Sequence, residues 1–186
     1  MTGYTVFDGF APLVWARSRR FLAGGSVGGV PIDIGDLVDE FELPDQTGTP
    51  RRLSELLAGG PVVLFFYPAA MTSGCTAESC HFRDLGAEFA AAGAQRVGIS
   101  RDPVDKQRQF SDLHDFDYPL LSDADGAVAA AMGVRRRLPL GALSTRRMTF
   151  VIDTDRRVLD VIHNERNMDE HADRALATLR ARSAPA

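Results

Sequence analysis

Pro61-Val62-Val63-Leu64-Phe65-Phe66-Tyr67 runs straight into Pro68-Ala69-Ala70-Met71-Thr72-Ser73-Gly74-Cys75-Thr76-Ala77-Glu78-Ser79-Cys80. The first half is an uninterrupted apolar run of strand length, without polar alternation, as expected of a strand covered on both faces. A bilayer-spanning helix would need about 20 apolar residues, so the run does not cross a membrane. Pro68 ends the strand and a short loop follows. Thr72 or Ser73 is then placed to cap a helix, which puts Cys75 in its first turn.

The same reading extends outward. Upstream, Phe41-Glu42-Leu43 and the turn Gln46-Thr47-Gly48 predict an opening strand and hairpin, and Leu53 to Ala58 predicts a short helix stopped by Gly59-Gly60. Downstream, Cys75 to about Ala91 reads as one helix, with Phe82, Leu85 and Phe89 on a stripe and Gly93 as the stop. Arg96 to Ile99 is the next strand. Asp102 and Pro103 open a further helix as N-cap and first-turn proline. Asp125-Gly126 leads into a small helix from Ala127 to Met132. Two strands, Met148 to Ile152 and Val158 to Ile162, are joined by the tight turn Asp153-Thr154-Asp155-Arg156. A terminal helix from about Met168 to Arg180 buries Ala172, Ala175, Leu176 and Leu179. Alternating strands and helices, followed by an antiparallel pair and a helix, predict an α/β protein of thioredoxin-like fold, a central mixed β-sheet flanked by helices.

With 186 residues the chain has the length of one domain. Residues 1–34 read as an N-terminal extension ending in the linker-like Gly24-Gly25-Ser26-Val27-Gly28-Gly29, and 35–186 as the folded domain. Hydrophobic residues at 45% and charged residues at 25% mark a globular chain. A formal net charge of -4 argues against nucleic acid as a partner. The run Arg135-Arg136-Arg137 reads as a solvated loop. The N-terminus lacks a basic leader followed by an apolar stretch, so a cytoplasmic location is expected. In a reducing compartment two cysteines need a chemical or a packing explanation.

Cys75 has a chemical one. The unpaired N–H groups and positive end of a helix start favour a thiolate, and the thiolate is the nucleophile. The alternative, a cysteine serving as a small buried hydrophobe, fits a helix start after Thr-Ser-Gly less well. Cys80 lies five residues on. In an intact helix the two Cα atoms stand roughly 8–9 Å apart, whereas a disulfide needs about 4.4–6.8 Å. Either the pair never bridges or the helix unwinds locally on oxidation; spacing alone leaves a plain core cysteine equally open. Cys75, Cys80 and His81 do not have zinc-site spacing, and no second ligand pair follows. There is no Cys-x-x-Cys.

Pro68-x-x-x-Thr72-x-x-Cys75 has the form of the peroxiredoxin active-site motif. With Cys80 the chain resembles the peroxiredoxin Q (bacterioferritin comigratory protein) subgroup. Leu37 to Leu56, Gly98 to Asp102, Tyr118 to Asp123 and Arg147 to Asp153 follow in the order that subgroup shows. The resemblance implies a thiol peroxidase with no cofactor and no metal. Cys75 would be the peroxidatic cysteine and Cys80 its partner in a disulfide within one subunit. Thr72 would hydrogen-bond the peroxide and the sulfur, and Pro68 would shield the site. Arg147 would lie against the thiolate, with Arg146 as its rival for that place, and Glu78 would orient the arginine. His81 has no assigned role. Implied partners are hydrogen peroxide or an organic hydroperoxide and a thioredoxin-like reductant; an intrasubunit disulfide makes a monomer the default and leaves a dimer open. Ser73, where a proline is common, and the apolar Ala69-Ala70-Met71 depart from the family pattern. A rival reading of the same cysteine pair is a peroxide sensor or holdase whose oxidation exposes a binding surface.

Overall fold

The computed structural model describes residues 31–136 and 144–183; the proposed extension 1–34 therefore lies almost wholly outside the described residues, as does part of the basic loop. In chain order the elements are β1 (Glu42–Pro44), β2 (Pro50–Arg52), α1 (Leu53–Leu57), β3 (Val62–Phe66), α2 (Ser73–Asp84), α3 (Gly86–Ala91), β4 (Gln95–Ser100), α4 (Val104–His114), β5 (Leu120–Ser122), α5 (Ala127–Ala131), β6 (Met148–Ile152), β7 (Val158–Ile162) and α6 (Asp169–Ser183).

β3 sits at the centre of a five-stranded mixed sheet of order β5-β4-β3-β6-β7. It pairs parallel with β4 and antiparallel with β6, which accounts for its uninterrupted apolar sequence. Alternate residues face opposite ways. Val62, Leu64 and Phe66 join a core with α1 and α5. Val63, Phe65 and Tyr67 join a second core with Cys75, Phe82, Phe89, Phe110 and the apolar stripe of α6. Helices thus cover both faces, and the thioredoxin-like expectation holds. Gly98 in β4 is needed for this packing: a Cβ there would sit 2.7 Å from Leu120 and 2.9 Å from the Phe65 ring.

Two local expectations are corrected, and one strand is added. The helix read from Cys75 to Ala91 is two helices, broken at Leu85. Arg96 from β4 explains the break, because its Nη1 donates to the carbonyls of Phe82 (2.8 Å) and Arg83 (3.3 Å) and so terminates α2. Asp102 is not the N-cap of α4; Pro103 occupies that position. The carboxylate of Asp102 is engaged elsewhere. Finally, the three-residue β5 extends the sheet, its residues too few for periodicity to reveal. Among the described residues no helix is long and apolar enough to cross a membrane.

Candidate active site

The loop between β3 and α2 is pinned from outside itself. Ala70 N–H donates to Asp102 Oδ2 at 2.6 Å, and that carboxylate also accepts from Ser100 Oγ (2.8 Å) and Lys106 Nζ (2.6 Å). Gln107, wholly buried, takes the Tyr67 hydroxyl at 2.5 Å and donates to Ser100 Oγ and the Leu121 carbonyl. The β4–α4 junction therefore holds both ends of the segment Tyr67 to Ala70. Pro68 is buried within it, and Met71 takes a left-handed conformation (φ 67°) that tightens the turn into α2.

Thr72 is the N-cap of α2 by backbone, but its hydroxyl does not cap; it donates to the Ala69 carbonyl at 2.9 Å. The capping expected of Thr72 is thus replaced by a bond that closes the loop. The first N–H groups of α2 are left without a side-chain acceptor, and Cys75, the third residue of the helix, lies at this electropositive end. Cys75 is 1% exposed.

Arg147, in the approach to β6, reaches Cys75 from the neighbouring strand. Its Nη2 stands 3.4 Å from Cys75 Sγ and its Nη1 pairs with Glu78 Oε2. Arg146 makes no hydrogen bond to the sulfur; its backbone N–H donates to the Val134 carbonyl at 3.0 Å. Burial works against the charge on Arg147, yet Glu78 and Cys75 beside it hold the guanidinium firmly protonated. Gly74 leaves the room: a Cβ there would lie 3.3 Å from Arg147 Nη2 and 3.7 Å from Met168 Sδ. Glu78, on the same face of α2 as Cys75, is fully buried, and burial pushes its carboxyl up to about 8 against the pull of Arg147.

Cys80 lies a turn and a half further along α2, partly exposed, and both cysteines are free thiols. The helix runs unbroken between them. The Tyr118 hydroxyl donates to the Ser79 carbonyl at 2.7 Å, fastening the turn that carries Cys80. His81 binds Asp173 of α6 at 2.9 Å on the surface and stays away from Cys75's cluster. No group of three or more His, Cys, Asp or Glu among the described residues is arranged to hold a metal ion.

The structure thus brings Cys75, Arg147 and Glu78 into contact, packs Pro68 and Thr72 in the adjoining loop, and sets Cys80 apart. Sequence reasoning missed three neighbours: Asp102, read as a helix cap; Met168, beside Gly74; and His171. The last had a signal, since His171, Ala175 and Leu179 recur at four-residue spacing on the buried stripe of α6.

Residues 34–161 match the AhpC/TSA family. A Mycobacterium tuberculosis relative classed among the peroxiredoxins is 69% identical over 147 residues, spanning 79% of this chain and 96% of its own. The crystal structure of peroxidoxin BcpB from Mycobacterium tuberculosis superposes with a TM-score of 0.79 at 66% identity, covering 82% of this chain and 99% of that one. The bacterioferritin comigratory protein of Xanthomonas campestris, studied for alkyl peroxide reduction, superposes with a TM-score of 0.73 at 32% identity, covering 82% and 100%.

Proposed function

The chain belongs to the AhpC/TSA family and is a peroxiredoxin, a thiol peroxidase, and we propose that Cys75 is its attacking thiolate, with Cys80 as the resolving partner. The 3.4 Å approach of the Arg147 guanidinium to Cys75 Sγ carries this reading, because it sets a fixed positive charge where the sulfur and the developing oxygen are negative. Hydrogen peroxide and organic hydroperoxides are the substrate class; the alkyl peroxide activity of the Xanthomonas relative supports the second.

In the reaction, Cys75 S⁻ attacks the terminal peroxide oxygen. The S–O bond forms as the O–O bond breaks, and the leaving oxygen takes up a proton to depart as water or alcohol. The sulfur is now a sulfenic acid. Thr72 and Pro68 shape the loop over this step, and Glu78 orients Arg147. The middle of α2 then unwinds, the Cys80 thiol condenses with the sulfenic acid, and water leaves as the disulfide forms. A thioredoxin-like dithiol reduces that disulfide by exchange. Cys80, the more exposed sulfur, is the one a protein reductant reaches.

Peroxide consumption coupled to thioredoxin and its reductase tests the scheme. Cys75→Ser is expected to abolish turnover, and full activity in that variant would overturn the assignment. Mass mapping after one equivalent of peroxide should find a Cys75–Cys80 disulfide. Fast turnover also separates this enzyme from an oxidation-triggered binding module, which would capture partners with negligible turnover.

A further inference from the structure

Two groups able to become anions meet one permanent cation behind the sulfur. Among the described residues, Arg147 brings the one guanidinium or ammonium in contact with both Cys75 and Glu78. With a thiolate and a carboxylate both present, this buried cluster would carry an uncompensated negative charge, which a poorly solvated interior disfavours. Glu78 Oε1 makes the conflict concrete: it is buried and receives no hydrogen bond.

Facing that oxygen is His171 Nδ1, 3.7 Å away, on a fully buried ring of α6. His171 Nε2 lies 2.8 Å from the Asn164 carbonyl, which can only accept, so Nε2 carries a proton. In the neutral ring Nδ1 is then a lone pair, turned toward an oxygen that also offers only lone pairs. A single proton between Oε1 and Nδ1 removes the repulsion. The Thr149 hydroxyl, 2.9 Å from Nδ1, can give or take and so adapts to either position of that proton.

We propose that Glu78 and His171 share one proton, so that Glu78 meets Arg147 as a neutral acid while Cys75 is the thiolate, and that His171 is a positioning residue of the peroxidase site. Forming the thiolate then moves a proton within the site: the S–H bond of Cys75 breaks, an O–H bond forms on Glu78, and no electron is transferred. Arg147 is left with its charge directed at the sulfur. Burial acts in the same sense on both partners, raising the Glu78 carboxyl and lowering the His171 imidazole. The other groups facing the pair are Arg147 from the approach to β6, Cys75 from α2, His163 and Glu165 from the β7–α6 connection, and Glu170 from α6. Of these, Glu165 further raises Glu78, while Arg147 draws it down.

The inference rests on Cys75 as the attacking thiol, but its test reads the proton without peroxide. Infrared difference spectra of the reduced full-length protein, wild type against Glu78→Gln, should show a carboxylic-acid carbonyl band at neutral pH that the variant lacks. In His171→Leu, which has no acceptor for the proton, that band should shift in frequency and in its titration midpoint; His171→Gln, which keeps an acceptor, should restore part of the shift. The pH profile of thiolate absorbance should move with the band in each variant. No acid band in the wild type overturns the proposal, as does a band that His171→Gln and His171→Leu leave where it was. Where a His171 variant does not fold, the absence of the acid band from the wild type still overturns the proposal. An acid band in a protein whose Cys75→Ser variant stays fully active would instead sink the catalytic reading alone.

Discussion

Arg147 divides its guanidinium between two acidic neighbours, Nη2 standing 3.4 Å from Cys75 Sγ while Nη1 is taken by Glu78. One side chain thus links the reactive sulfur to the buried wall behind it. Arg147→Gln should lower the peroxide rate constant by about 100-fold or more, the usual effect of removing a preorganised charge. It should also destabilise the fold by about 1–3 kcal/mol, since the buried Glu78 carboxyl would lose its hydrogen-bond partner. Arg146→Gln should leave both close to wild type; stopped-flow kinetics and thermal unfolding separate the two arginines.

Gly74→Ala tests whether room beside Arg147 is the reason for glycine. Alanine is favoured over glycine inside a helix by about 1 kcal/mol, but the added Cβ would press on Arg147 Nη2 at 3.3 Å. The expected outcome is an unchanged or raised melting temperature together with a slower reaction with peroxide. A rate equal to wild type would show that Arg147 moves aside freely.

Tyr118→Phe should speed resolution. The phenol bond to the Ser79 carbonyl helps hold the turn that must unwind before Cys80 can meet Cys75. Losing a bond of about 1 kcal/mol should raise the rate of disulfide formation about fivefold. Less Cys75 should then be overoxidised at high peroxide. Quenched time courses read by mass spectrometry give both quantities.

Asp102→Ala should loosen the loop before α2. It strips the acceptor from Ala70 N–H, Ser100 and Lys106 together, two of them inside the protein. A loss of about 2–3 kcal/mol is expected for a charged hydrogen-bonding group, with a slower reaction at Cys75 because Pro68 and Thr72 lose their anchor. Chemical unfolding and the peroxide rate constant are the two measurements.

The buried Glu78 also sets a pH dependence of stability. Its carboxyl stands at about 8 in the folded protein against 4.5 ordinarily. Between these values the folded state binds the extra proton, so its contribution is complete at acid pH and is lost as pH rises through about 8. Relative to Glu78→Gln, the wild type should lose stability across this window, with a slope of at most about 1.4 kcal/mol per pH unit. His171 acts oppositely: its imidazole is lowered by burial, so it disfavours the fold as pH drops below its ordinary value. Urea titrations across the window should show the Glu78 trend disappear in the variant.

Much of the molecule was legible in the chain because the signals are local. An unbroken apolar run specifies a central strand, glycine and proline mark the turns, and Thr-Ser-Gly before Cys75 places that residue at a helix start; the spacing of Pro68, Thr72 and Cys75 adds the family. The bounds of β6 and β7 follow equally from their apolar residues and the turn between them. The tertiary structure alone decided what faces the sulfur. Arg146 and Arg147 are indistinguishable by type, yet adjacent residues along extended chain point opposite ways, and only the pairing of β6 with β3 shows which is turned toward Cys75. Arg96 breaking the helix at Leu85, Asp102 fastening Ala70 and His171 closing on Glu78 are likewise contacts between residues far apart in sequence. Such contacts arise from how the elements pack, and no short stretch of sequence contains both of their ends.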